Sequence, residues 1–173
     1  MLRCTRLRSS SRVVMAGVAL IMCVCLAWPG RSYGGYRTTH LYMLLGFANM
    51  SPGLAEFGAK IRRRGVPTTV SSYTGWQTLA LQAIQQYKSG RLRSIKIVGH
   101  SFGGAAGMAM AAELGRAGVP VKLLVTIDPV GGGSKVSSNV RRWVNILPKG
   151  GEDHYSVIAA HKWDLRRYVL GGK

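Results

Sequence analysis

Cysteine is nearly absent from this chain of 173 residues, and the three that it has lie within the first 25 positions. The rest of the chain therefore has neither a disulfide framework nor a thiolate metal site. Repeats with a period of about 20 to 50 residues are also missing, which argues against a solenoid. Apolar residues make up 47% of the chain, so the sequence is not that of a wholly disordered protein.

Acidic side chains are scarce as well, since six Asp and Glu stand against 24 Lys and Arg, for a net charge of +18. Such a surface favours anionic surroundings, for example a membrane face or an acidic polysaccharide. A simple role in solubility would account for the charge equally well. A dedicated nucleic-acid binder is disfavoured, because the longest basic cluster is Arg62-Arg63-Arg64 and no long basic run with interleaved aromatic residues is present.

The N-terminus has the order of an export signal. Residues 1–12 carry four Arg, and residues 13–28 carry no charge. A basic segment followed by an apolar run is typical of a secretory signal peptide. The run has 16 residues, fewer than the ~20 that span a bilayer, and a buried core helix is the weaker interpretation because the run has no polar face.

We therefore expect residues 1–34 to be a signal peptide or N-terminal membrane anchor plus a linker, and residues 35–173 to form the domain. No clean cleavage site follows the apolar run, which slightly favours an uncleaved anchor with the domain on the non-cytoplasmic side of the membrane. The alternative is a cleaved periplasmic or secreted protein whose positive charge associates it with anionic envelope polymers.

From residue 40 onward, short apolar runs alternate with helical patterns. Pro67 places the second predicted strand nearer a sheet edge. Ser51 and Pro52 are predicted as the N-cap and the first position of the first helix. Continuous apolar strands with short helical connections predict a parallel sheet with helices on both faces, an α/β three-layer sandwich. Strands are predicted over residues 41–45, 66–72, 94–98, 121–127 and 140–147, and helices over residues 51–64, 74–88, 103–115 and 156–170.

The strongest motif is Gly99-His100-Ser101-Phe102-Gly103, which has the form G-x-S-x-G and lies between a predicted strand and a predicted helix. A serine on such a turn adopts a strained backbone conformation, and the flanking residues must be small because the chain packs tightly there. A phosphate-binding loop is the alternative. The Gly-Lys-Ser/Thr ending of one such motif and the further glycines of the dinucleotide-binding motif are both missing here. We predict that Ser101 is a nucleophile and that His100 points away from it.

A serine nucleophile needs a base, and the base needs an orienting acid. Asp128 ends an apolar strand 27 residues after Ser101, and His154 follows the next predicted strand after a further 26 residues. We predict that Asp128 is the acid and His154 the base, although Asp128 could also be a turn residue. His161 falls within the last predicted helix and is expected at the surface.

Acyl transfer also requires hydrogen-bond donors for the developing oxyanion. The backbone N–H of Phe102, directly after the serine, is one predicted donor. The loop after the first strand supplies the other, from the N–H of Phe47 or Ala48, with the side chain of Asn49 as an alternative. An ordinary strand–helix turn explains this loop equally well, because it has no HGGG-like run.

Together, the segment Gly99 to Gly104, Asp128-Pro129 and His154 resemble the α/β-hydrolase family on its lipase, esterase and thioesterase side. The resemblance covers about residues 40–173 and implies a minimal version of that fold. It implies a serine hydrolase that forms an acyl-enzyme on a small ester or thioester, with no cofactor and no metal.

Three departures from the family pattern qualify that expectation. The first strands of the family fold are missing, the acid comes one strand earlier than in most members, and no insertion is long enough for a lid. We therefore expect an open site. The alternative functions are a catalytically silent binding protein of the same fold and a cationic envelope-associated protein.

Overall fold

The computed structural model describes residues 38–131, 135–150, 153 and 156–171. In these residues five parallel strands make one sheet, in the order β2-β1-β3-β4-β5. The strands are β1 (Thr39–Leu45), β2 (Thr68–Ser72), β3 (Ser94–His100), β4 (Leu123–Ile127) and β5 (Trp143–Ile146). The helices are α1 (Leu54–Arg63), α2 (Trp76–Lys88), α3 (Phe102–Arg116), α4 (Ser156–Ala160) and α5 (Lys162–Leu170).

Side chains of the central strands alternate between two apolar layers. In β1, Tyr42 and Leu44 belong to the layer under α2 and α3, whereas Leu41 and Met43 belong to the layer under α1, α4 and α5. Both faces are buried, which explains why this strand is apolar at consecutive positions. The predicted three-layer α/β fold is confirmed.

The strand order reverses between β1 and β3, because the chain passes from β1 to β2 on one side and returns to β3 on the other. The two crossover helices, α1 and α2, pack on opposite faces of the sheet. In open parallel sheets such a reversal opens a crevice at the carboxyl ends of the two strands. Here the ends of those two strands carry the loop after β1 and the turn from β3 into α3, which are the segments with the predicted nucleophile and oxyanion donors.

Two sequence predictions about helices are wrong. Ser51 is not the N-cap of α1, because that helix begins after Gly53 (φ 79°) and Ser51 is buried in other contacts. The last helix is interrupted at His161, whose carbonyl accepts the Leu165 N–H (3.0 Å) and thereby starts α5. His161 consequently lies between two helices, half-buried, rather than on the surface of one.

The strand predictions are closer to the structure. Thr68–Ser72 lies at the sheet edge, as the proline before it predicts. The last predicted strand shortens to Trp143–Ile146, and Val140 only forms an isolated bridge with Val121. The predicted segment 1–34 and His154 lie outside the described residues. Nowhere in the described ranges is a helix long and apolar enough to cross a membrane.

Candidate active site

Ser101 lies at the turn from β3 into α3 with φ 57° and ψ −127°. A positive φ is uncommon outside glycine, and such a conformation costs on the order of 1–3 kcal/mol. Backbone hydrogen bonds hold it in place: the Ser101 N–H donates to Ile127 (3.0 Å), and its carbonyl accepts from Gly104 (2.8 Å) and Val130 (3.2 Å). The strained turn that the motif predicts is thus present and is fixed from two sides.

The glycines around Ser101 are required sterically. A Cβ on Gly99 would lie 2.0 Å from the Gly103 carbonyl oxygen, and a Cβ on Gly103 would lie 2.0 Å from that of Leu44. A Cβ on Gly104 would lie 2.8 Å from Pro129 Cβ. Real Cβ atoms essentially never lie within 3.0 Å of such atoms. We call Gly99, Gly103 and Gly104 the glycine cradle, because they let α3 lie directly against the sheet beneath the serine.

Asp128 lies on the same edge of the sheet as Ser101. It directly follows β4, is half-buried, and has a positive φ of 40°. Its N–H donates to the carbonyl of Ile146 (2.7 Å). Of its two neighbours in the chain, Ile127 accepts the Ser101 N–H, and Pro129 lies against Gly104. The fold therefore brings the predicted acid and the predicted nucleophile to adjacent strand ends. The predicted base, His154, lies outside the described residues.

The loop after β1 reaches the serine directly. A Cβ on Gly46 would lie 3.1 Å from Ser101 Cβ, and the following residues form a 3-10 turn, Phe47–Asn49. Ala48 (φ 49°) and Asn49 (φ 60°) both have left-handed backbones. Phe47 and Phe102 are each the first residue of a helical turn, where an N–H has no acceptor within the helix. These N–H groups are therefore suited to bind an anion beside Ser101.

A buried hydrogen-bond network connects this loop to the serine turn. The His100 ring is fully buried, and its Nδ1 lies 3.0 Å from Ser51 Oγ. The Gly46 N–H donates to the same oxygen (2.9 Å). The role of Ser51 could not be predicted from the sequence, because the contact joins residues 49 positions apart and no local pattern signals it. The network holds Gly46, and with it the predicted oxyanion donors, at a set distance from the strand end.

Large apolar side chains surround the mouth of the site. Phe102 packs against Tyr73 and Phe47, with ring centroids 5.5 Å and 6.4 Å away. Five large apolar side chains that follow strands at this edge of the sheet are 41% to 60% exposed. Exposed apolar groups gathered at one place mark binding surfaces more often than isolated ones do. The apolar rim consists of Phe47 and Met50 after β1, Phe102 after β3, Val130 after β4 and Leu147 after β5.

In the part of the chain that the structure describes, no group of three or more His, Cys, Asp and Glu is placed to hold a metal ion. A comparison with protein-family models gives no match, and a search of curated proteins gives none either. Ser101, the glycine cradle and the apolar rim are the features from which a function can be proposed.

Proposed function

We propose that this protein is an exported serine hydrolase that cleaves an ester or thioester through an acyl-enzyme. The strained Ser101 turn carries the proposal, because a fold retains such a costly conformation where it serves chemistry. Its place at the reversal of strand order, where ligands bind in open parallel sheets, supports the same conclusion.

In the proposed reaction Ser101 Oγ attacks the carbonyl carbon of the substrate while His154 takes the hydroxyl proton. Asp128 orients the imidazole and stabilises its protonated form. The N–H of Phe102, with that of Phe47 or Ala48, stabilises the negative oxygen of the tetrahedral intermediate. The intermediate then expels the alcohol or thiol, which receives the proton from His154. Water, activated by the same histidine, hydrolyses the acyl-enzyme and restores the serine hydroxyl.

The apolar rim favours a substrate with an apolar acyl group. An alkyl chain that covers Phe102 and Phe47 would remove exposed aromatic surface from water, and each buried CH₂ contributes about 0.8 kcal/mol. We therefore expect kcat/KM to rise from p-nitrophenyl acetate to the hexanoate. Phe102→Ser keeps the backbone donor but removes the ring, so the variant should lose most of this chain-length preference while it still hydrolyses the acetate.

Labelling of the full-length protein with a fluorophosphonate probe tests the nucleophile. We expect wild type and Ser89→Ala to be labelled and Ser101→Ala to be unlabelled, since Ser89 lies on the exposed end of α2. Hydrolysis of a short p-nitrophenyl ester should fall by several orders of magnitude in Ser101→Ala only. Equal labelling of all three proteins would refute the assignment, and a folded but unlabelled wild type would favour the catalytically silent alternative.

The proposal of export rests on the order of charge and hydropathy in residues 1–34. Fractionation separates the two forms considered above: an uncleaved anchor resists high salt and yields to detergent, whereas electrostatic association is released by ~1 M salt, where the screening length is roughly 3 Å. N-terminal sequencing of the recovered protein decides between them independently. Recovery of the intact chain in the soluble cytoplasm would remove the export proposal.

A further inference from the structure

A row of cations lies along the amino edge of the sheet, at the opposite ends of the strands from Ser101. Three neighbouring strands each begin one residue after a basic side chain: Arg93 precedes β3, Lys122 precedes β4 and Arg142 precedes β5. Neighbouring strands lie about 4.8 Å apart, so the fold collects these charges at one edge. We call Arg93, Lys122 and Arg142 the amino-edge cations.

A fourth cation lies inside the sheet beside them. Lys96 interrupts the apolar run of β3 and is only 7% exposed, and its Nζ donates to the carbonyl of Val169 in the last turn of α5. Lysine is almost never buried to this extent unless its ammonium is paired, and the Val169 carbonyl is the partner here. Burial, and then the nearby Lys122 ammonium, lower the pKa of Lys96.

These side chains line a cavity rather than a flat surface. Lys96, Lys122 and Arg142 line a space of about 490 Å³, and the Arg142 guanidinium lies 4.9 Å from the centre of the Tyr168 ring, another lining residue. Lys122 also lines an adjoining space of about 230 Å³, shared with Arg93 and Ser94. The hydroxyl of Ser94 is buried and has no hydrogen-bond partner among the described residues.

The charge of these cations has no carboxylate partner in the part of the chain that the structure describes. Neither Lys96 nor any of the three amino-edge cations forms a described ion pair with Asp or Glu, and the described ion pairs Arg116–Glu113 and His161–Asp164 involve other residues. Like charges that crowd a partly buried space repel each other, and a bound anion relieves that repulsion.

We propose that the amino edge of the sheet binds a phosphate-bearing anion between Lys96, Lys122 and Arg142. A phosphate monoester carries nearly two negative charges near neutral pH and so suits several cations better than a carboxylate does. The planar guanidinium of Arg142, oriented by Tyr168, can donate two parallel hydrogen bonds to phosphate oxygens. The site does not depend on the proposed hydrolase activity, because it lies at the other end of the sheet from Ser101.

Isothermal titration of the full-length protein with inorganic phosphate, at constant ionic strength set with chloride, tests the site. We expect saturable binding to wild type, and a loss of about tenfold or more in affinity for Lys122→Met and for Arg142→Met, the usual effect of removing a charged hydrogen-bond partner. Lys162→Met is the matched control, since it removes one exposed charge at the start of α5, outside this cavity. Acetate at the same ionic strength should bind far more weakly.

A second experiment distinguishes a soluble phosphate compound from a lipid headgroup as the source of the phosphate. Vesicles of phosphatidylcholine with and without phosphatidic acid are offered to the same proteins. Binding of soluble phosphate points to a small ligand, whereas binding only to the phosphatidic acid vesicles, lost in Lys122→Met and kept in Lys162→Met, points to a lipid headgroup. An equal loss of affinity in all three variants would overturn the proposal, since the positive charge would then act without a defined site. The absence of binding in both experiments would overturn it as well.

Discussion

Substitution of Gly103 tests the tight contact between α3 and β1 more sharply than any other change in the glycine cradle. In Gly103→Ala the new Cβ would lie 2.0 Å from the Leu44 carbonyl oxygen and 2.6 Å from its carbon. Both are backbone atoms in the middle of the sheet, so no side chain can rotate away. The clash can be relieved only if α3 moves away from the sheet by about 1 Å, which is the order of the difference between this overlap and an ordinary van der Waals contact.

We expect Gly103→Ala to lower the free energy of unfolding by an amount at the upper end of the range that overpacking of a core causes. Inserting a methyl group into a packed core costs about 1–3 kcal/mol, occasionally more, and we expect at least ~3 kcal/mol here. That is a large part of the ~5–15 kcal/mol that stabilises a typical domain. The displaced helix would also reorient the Phe102 N–H relative to Ser101 Oγ, so labelling by a fluorophosphonate should fall together with stability.

Gly107→Ala is the matched control in the same helix, one turn later. Its Cβ would lie 3.2 Å from Ile97 Cγ2 and 3.4 Å from Leu124 Cδ1, both of which are side-chain methyl groups rather than backbone atoms. The gain in helix propensity, up to ~1 kcal/mol, should offset this tightness. Urea unfolding measures both variants: a Gly103→Ala protein with wild-type midpoint and full labelling would refute the steric argument.

Three further changes test other parts of the structure. Asp128→Asn should lower kcat by about 10⁴-fold through loss of the imidazole orientation. Asp153 is next to His154 in the sequence, but adjacent loop residues rarely orient each other's rings, so Asp153→Asn should change kcat little; the reverse ranking would reassign the acid. Ser51→Ala removes the shared partner of Gly46 and His100 and should cost ~1–3 kcal/mol in urea unfolding; an unchanged midpoint would show that the network contributes nothing. Burial lowers the pKa of His40 below 6.5, so the folded state binds fewer protons than the unfolded one, and stability should fall as pH drops below 6.5. His40→Gln should flatten that fall, and an equal slope in both proteins would contradict it.

The apolar runs and the G-x-S-x-G motif were sufficient to predict the α/β class and the position of Ser101. Both rest on local rules: a continuous apolar run signals a strand buried on two faces, and glycines at fixed offsets signal a strand-to-helix turn. Even the edge position of β2 could be predicted, because Pro67 cannot donate to a neighbouring strand. The bounds of the last helix could not, because the interruption at His161 depends on packing rather than on propensity.

Only the tertiary structure decided which distant residues meet. Ser51 reads as a helix cap in the sequence, yet it is buried against His100, because the parallel pairing of β1 with β3 brings the ends of those strands together. In the same way, nothing local marks Lys96, Lys122 and Arg142 as neighbours. They share one cavity because parallel strands place all their amino ends at a single edge, and strand order is a property of the whole chain.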